Sequence, residues 1–154
     1  MGFGMHAEAQ LDCFIDKFTP EVASLTRALM VKTKARIPGA TIMVYDNYNA
    51  LAIGFGPSDR AGQAVLSLAV MPRWVTLCFL RGVGLPDPHG LLNGSGSQVR
   101  HVRLHTPDAF DDPRVQDLIG AALQRCEPAI DQAREQKLII KSISAKQRPR
   151  RPKD

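Results

Sequence analysis

A chain of 154 residues, 44% hydrophobic and 23% charged, has the length and composition of one globular domain and excludes the disordered and membrane-spanning classes, since no apolar run approaches the ~20 residues that cross a bilayer. The formal charge of +5 is unevenly placed: the last nine residues hold five basic side chains and one acid and so carry +4 of it. A nearly neutral body excludes a broad electrostatic surface for nucleic acid and leaves the tail as the one dense basic segment.

In chain order, Leu11, Phe14, Ile15 and Phe18 form one stripe of a short amphipathic helix. Thr19 followed by Pro20 predicts a cap and a first helical position, and Val22, Leu25 and Leu29 give the inward face of a second helix reaching about Arg36. Its basic second half, Arg27, Lys32, Lys34 and Arg36, reads as a solvated face. From Thr41 the period changes to two, predicting strands over Thr41 to Asp46 and Leu51 to Gly56 joined around Asn47. The face Ala52-x-Gly54-x-Gly56 leaves room for a helix or a ligand to approach closely. Ala64 to Met71 and Arg73 to Leu80, split by Pro72, predict a central antiparallel hairpin that is apolar on both faces.

After an irregular loop, Gly94 and Gly96 open onto a fifth strand, Val99 to His105. Asp112 and Pro113 predict the cap and first turn of a helix with Val115, Leu118, Ile119, Ala122 and Cys126 inward. Pro128 interrupts that helix, Ala129 to Gln136 are expected to continue it, and Lys137 to Ile143 read as a last strand. The fold expected is α+β: a single antiparallel sheet of five to six strands packed against N-terminal and C-terminal helices, with residues 1–145 as one domain and 146–154 as a basic tail. Its prolines forbid regular pairing, so the tail should be ordered only where it lies on the body or a partner.

Cys13, Cys78 and Cys126 are widely spaced without a Cys-x-x-Cys pair, which argues against disulfides and structural zinc and makes each a small core hydrophobe. His101 and His105 lie four residues apart on a strand, ~13 Å, and cannot share one ion. Asp112 in the acidic run around Asp108 is better spent as a helix cap, so no metal ligand set is assigned. No Gly-x-Ser-x-Gly element or phosphate-loop Lys-Ser/Thr is present, so no catalytic residue is assigned and no cofactor is identified. Arg100, His101 and Arg103 beside the glycine loop suit an anion, and Tyr45, Tyr48 and Trp74 supply aromatic rims. The candidate ligand site therefore comprises Tyr45, Tyr48, Trp74, Gly94, Gly96, Arg100, His101 and Arg103.

The succession Tyr45, Arg73-Trp74-Val75, Gly90-Leu91-Leu92, Gly94-Ser95-Gly96 and Val99-Arg100-His101-Val102-Arg103-Leu104 resembles the YdhG-like domain, a family of unknown function, from about Ala40 to Cys126. The resemblance implies an α+β domain with one antiparallel sheet. Through relatives described as frataxin-like, it also implies an iron-chaperone function. The resulting expectation is a small cytoplasmic ligand-binding domain whose partner is a small molecule or an anion, not a membrane. The alternatives are nucleic-acid association through Lys146, Arg148, Arg150 and Arg151, or an enzyme acting on a small anionic substrate. A homodimer joined through the last strand is the remaining assembly option.

Overall fold

The computed structural model describes residues 6–153. Helix α1 (Ala7–Ile15) buries Leu11, Phe14 and Ile15, and Phe18, the next member of the same stripe, is buried just beyond its end. Helix α2 (Pro20–Arg36) starts as its sequence dictates: the Thr19 hydroxyl accepts from the Val22 N–H at 3.2 Å and Pro20 occupies the first turn, where no N–H is needed. Thr19→Ala is expected to lower stability by about 1 kcal/mol, the usual loss of such a cap. A lower urea midpoint with an unchanged slope would register it.

Strands β1 (Thr41–Asp46), β2 (Leu51–Gly56), β3 (Leu66–Val70), β4 (Val75–Phe79), β5 (Arg100–Leu104) and β6 (Lys137–Ile143) form one sheet in the order β5-β4-β3-β2-β1-β6. The β3–β4 hairpin is antiparallel and interior to the sheet, as its sequence requires. The last strand departs from the antiparallel expectation. β6 lies within the chain beside β1 and runs parallel to it, with a bulge between Val44 and Tyr45. The crossover from β5 to β6 passes through two helices, and a parallel neighbour needs a connection of this length. The fold is α+β with a single six-stranded, mostly antiparallel sheet.

Alternation along the strands sends Ile42, Val44, Leu51, Ile53, Phe55, Leu66, Leu68, Leu77, Phe79 and Leu104 into one core with Phe18, Leu29, Phe110, Leu118 and Ile119 from the helical segments. The opposite face behaves differently. Tyr45, Ala52, Ser67, Ala69, Thr76 and Cys78 remain half-exposed, so the doubly apolar look of β3 and β4 does not mean cover on both sides. Gly56 marks a place where the backbone crosses this face: a Cβ there would stand 3.0 Å from the Ala64 Cα, just after a single 3-10 turn over Ala61–Gln63.

Thr106 caps a one-turn helix α3 (Pro107–Phe110), and Asp112 caps α4 (Pro113–Gln124), its carboxylate accepting from the Arg114 N–H at 2.9 Å. The same carboxylate grips the Arg114 guanidinium, which together with that N–H holds its pKa down to about 2. The expected helical continuation over Ala129 to Gln136 is not formed. Pro128 removes a donor and disfavours helical geometry in the residue before it, and the segment instead folds back under α2. There the Gln136 amide donates to the Lys34 and Ile37 carbonyls at 2.9 and 2.8 Å, reaching two acceptors at the end of that helix. Cys126 is buried as expected, Cys78 is half-buried, and Cys13 lies exposed on α1 rather than in the core.

Candidate functional site

The half-exposed sheet face is built from two cross-strand rows. One runs Tyr45, Ala52, Ala69, Thr76, Arg103 and the other Met43, Gly54, Ser67, Cys78, His101. Four strand spacings of about 4.8 Å place Tyr45 and Arg103 roughly 19 Å apart at the two ends of the first row. Between them the side chains are small, so the sheet forms a shallow floor with taller groups at its ends. At the Arg103 end the guanidinium stacks 3.9 Å from the Trp74 ring centroid, a cation–π contact that holds both groups while leaving Arg103 exposed. At the Tyr45 end the floor deepens into a cavity of about 280 Å³ lined by Tyr45, Asn47, Ala52, Gly54, Ser67 and Leu80 and closed on one side by Ala61 and Ala64.

Four of the eight residues singled out from the sequence, Tyr45, Trp74, His101 and Arg103, therefore share this face, although at opposite ends of it. Of the other four, Gly94 borders His101, a Cβ on it standing 3.5 Å from the His101 Nδ1, and the remaining three do not join them. Arg100 has the inward parity of Phe79, its register partner, and its Nη1 donates to the Gly96 and Val99 carbonyls at 2.6 and 2.8 Å. It serves the loop as a brace instead of presenting its charge to a ligand. Gly94, at φ +119°, and Gly96 lie on that exposed loop and do not wall the cavity. Tyr48 is exposed in the β1–β2 turn, where its carbonyl accepts from the Arg148 N–H at 2.9 Å. Asn47, Ser67, Leu80 and the Ala61–Ala64 crossing were not singled out; the small-residue alternation of β2 was the signal that pointed toward them.

The chemistry of this face is that of recognition. Burial pushes the Tyr45 hydroxyl up, keeping it protonated, and its oxygen lies 3.9 Å from the Met43 sulfur. Burial likewise pushes the Cys78 thiol up, against a smaller opposing effect of a hydrogen bond with Ser67, so it stays a weak nucleophile. Asp46, next to Tyr45, belongs to the opposite, buried side, where Lys17 reaches it at 2.8 Å and Arg150 at 2.9 Å. It is not available as a base to a ligand on the open face. Among the described residues, no three His, Cys, Asp or Glu side chains gather as a metal-holding group.

The basic groups elsewhere are largely engaged. On α2, Arg27 pairs with Asp12 and Asp16, Lys32 with Asp111, and Arg36 donates to the Gln116 amide oxygen. Arg150, one of the four tail residues considered for nucleic acid, is buried on Asp46, and Arg151 donates to the Lys17 carbonyl at 3.2 Å; Lys146 and Arg148 remain exposed. Among the described residues, no helix is long and apolar enough to cross a membrane. The chain matches no family model, no curated protein and no solved structure.

Proposed function

We propose that this chain is a small-ligand-binding domain of the YdhG-like type whose ligand lies on the open sheet face. The observation that carries the reading is the floor of small side chains between Tyr45 and the Trp74–Arg103 stack, deepening into the 280 Å³ cavity. Sites for small molecules are concave and mostly apolar with a few orienting polar groups, and this face has that composition. A partly flat, apolar molecule carrying one anionic group suits it: the body contacts Ala52, Gly54 and Ala69 while Arg103 supplies the fork. Catalysis on a small anionic substrate is less well supported, because the ionisable groups beside the cavity are held in their neutral, unreactive forms. An iron-chaperone role finds no ligand cluster among the described residues, and association with nucleic acid has lost Arg150 to a buried pair.

Trp74 is the single tryptophan and stands on this face, so its fluorescence reports occupancy. Anilinonaphthalene sulfonate, an aromatic anion, is expected to bind saturably with energy transfer from Trp74. Ser67→Leu, which fills part of the cavity that Ser67 lines, should weaken that binding by about tenfold or more, the effect of filling a contact surface of this kind. Equal affinity in the folded Ser67→Leu protein would show that the dye, and by extension the ligand, does not use this face.

A further inference from the structure

A second cavity, independent of the sheet-face reading, lies where the turn after β4 meets the end of α4. It has a volume of about 270 Å³ and is lined by Arg81, Val83, Ser97, Gln98 and Arg125. Three separate segments build it. The Val83 N–H donates to the Gln98 carbonyl at 3.1 Å, fastening the end of the glycine loop to the turn. Arg125 Nη2 donates to the Val83 carbonyl at 3.0 Å and Arg81 Nη2 to the Gly62 carbonyl at 2.9 Å, so each guanidinium is pinned by main chain.

Pinning has not neutralised them. Among the described residues neither Arg81 nor Arg125 has a carboxylate within ion-pair distance, and Glu127, two residues from Arg125, pairs with neither. Among the described residues each guanidinium spends one of its five N–H donors on main chain, Arg81 on Gly62 and Arg125 on Val83. Two oriented, uncompensated forks bordering one solvent-open cavity, with a hydroxyl and an amide beside them and no carboxylate in the lining, are complementary to a doubly charged oxyanion. We propose that Arg81 and Arg125, with Ser97 and Gln98, bind a phosphate group.

The size of the adjoining space limits what accompanies that group. A notch reaching in from Arg81 and Arg125 toward Phe79, Ala122 and Cys126 has about 20 Å³, room for one water and not for a ring. The rest of any phosphorylated ligand therefore extends outward into solvent. Cys126, at the bottom of the notch, donates its S–H to the Pro128 carbonyl at 3.2 Å, and burial pushes its thiol up despite the nearby Arg81. A thiol held protonated does not attack phosphorus, so the site binds phosphate without a covalent step.

Titration calorimetry with inorganic phosphate and with glycerol 3-phosphate, at constant ionic strength, tests this on the full chain. Both are expected to bind; tighter binding of the ester assigns a phosphomonoester, and equal binding assigns free phosphate. Arg81→Gln and Arg125→Gln should each weaken binding by about tenfold or more, as expected for a lost charge-assisted bond, whereas Arg148→Gln removes the same charge elsewhere and should leave it unchanged. Circular dichroism checks that each variant folds. For one that does not, the lysine variant, which keeps the charge and loses the fork, is expected to fold and to bind less tightly than wild type. No heat of binding from wild type at about 10 mM phosphate overturns the proposal, as does an equal effect of Arg148→Gln and the two cavity variants.

Discussion

Gly39→Ala is expected to lower the unfolding free energy by about 2 to 5 kcal/mol, combining roughly 1–2 for a side chain in the left-handed region with roughly 1–3 for overpacking. Gly39 is buried in the turn after α2 with φ +82°, and a Cβ there would overlap the Asp131 carbonyl oxygen and stand 3.0 Å from the Gln132 Cα. These are backbone atoms and cannot swing aside as the end of a long side chain would. Relief requires the 131–136 segment to lift, and with it the two bonds by which Gln136 caps α2 and the approach of the chain to β6. Urea unfolding measures the effect, with Gly62→Ala as the control. Gly62 is exposed with nothing near its missing Cβ, so its substitution should stay within about 0.5 kcal/mol. A Gly39→Ala protein as stable as that control would mean that residues 131–132 do not pack on the turn.

Local chemistry made much of this fold legible. The Thr19-Pro20 and Asp112-Pro113 pairs set helix starts because a short polar side chain and a missing N–H solve the same end problem in any context. The period-two runs gave β1 and β2 their bounds because a residue's side of the sheet follows from its parity alone. What failed depended on distant partners. Ala129 to Gln136 contains good helix formers, yet the segment turns at 132–134, where the Arg134 N–H donates to the Asp131 carbonyl, and is anchored by what Gln136 finds on α2. Parity could place Arg103 and His101 on one face and Arg100 on the other, but not reveal that Arg100 would turn back to hold Gly96. Nor does any periodicity announce which face of β3 and β4 the helices cover; Thr76 and Cys78 are apolar enough for either fate. The candidate site moved from the glycine loop to the sheet floor for that reason. The basic loop sequence was conspicuous as chemistry, whereas a floor is defined by what its residues lack.

Arg150→Met and Asp46→Asn are each expected to release the last residues of the chain at neutral pH while leaving the sheet intact. Asp46 is fully buried at the end of β1, and it accepts from Lys17 through one oxygen and from Arg150 through the other. The Arg150 side chain is 4% exposed, lies 5.8 Å from the Phe18 ring centroid and also donates to the Asn47 carbonyl. Removing one member of a buried pair costs about 3–5 kcal/mol when the other must stay buried. Here the other need not stay. Arg150 sits beyond β6 on a segment without helix or strand, and its buried Nε has no partner among the described residues, so undocking returns it to water and caps the loss at the free energy that holds this segment. The Ser144 and Arg148 amides, bonded to the Asp46 and Tyr48 carbonyls at 2.9 Å, should lose hydrogen-exchange protection in both variants, and trypsin should cut after Lys146 faster than in wild type. Acid should do the same to the wild type. Burial pushes the Asp46 carboxyl up, but hydrogen bonds from Lys17, Gln147 and Arg150 outweigh it and hold the pKa below the ordinary 3.8. The docked state therefore binds its proton more weakly than the undocked one. The contribution of the pair is complete above the ordinary value and fades as pH falls through the lower, docked value. Exchange at Ser144 and Arg148, corrected for intrinsic rate, should show flat protection from about pH 8 to pH 5 and a loss below the ordinary carboxylate range. Asp46→Asn should show no such transition; full protection of both amides in that variant would mean that the Asp46–Arg150 pair does not hold the tail.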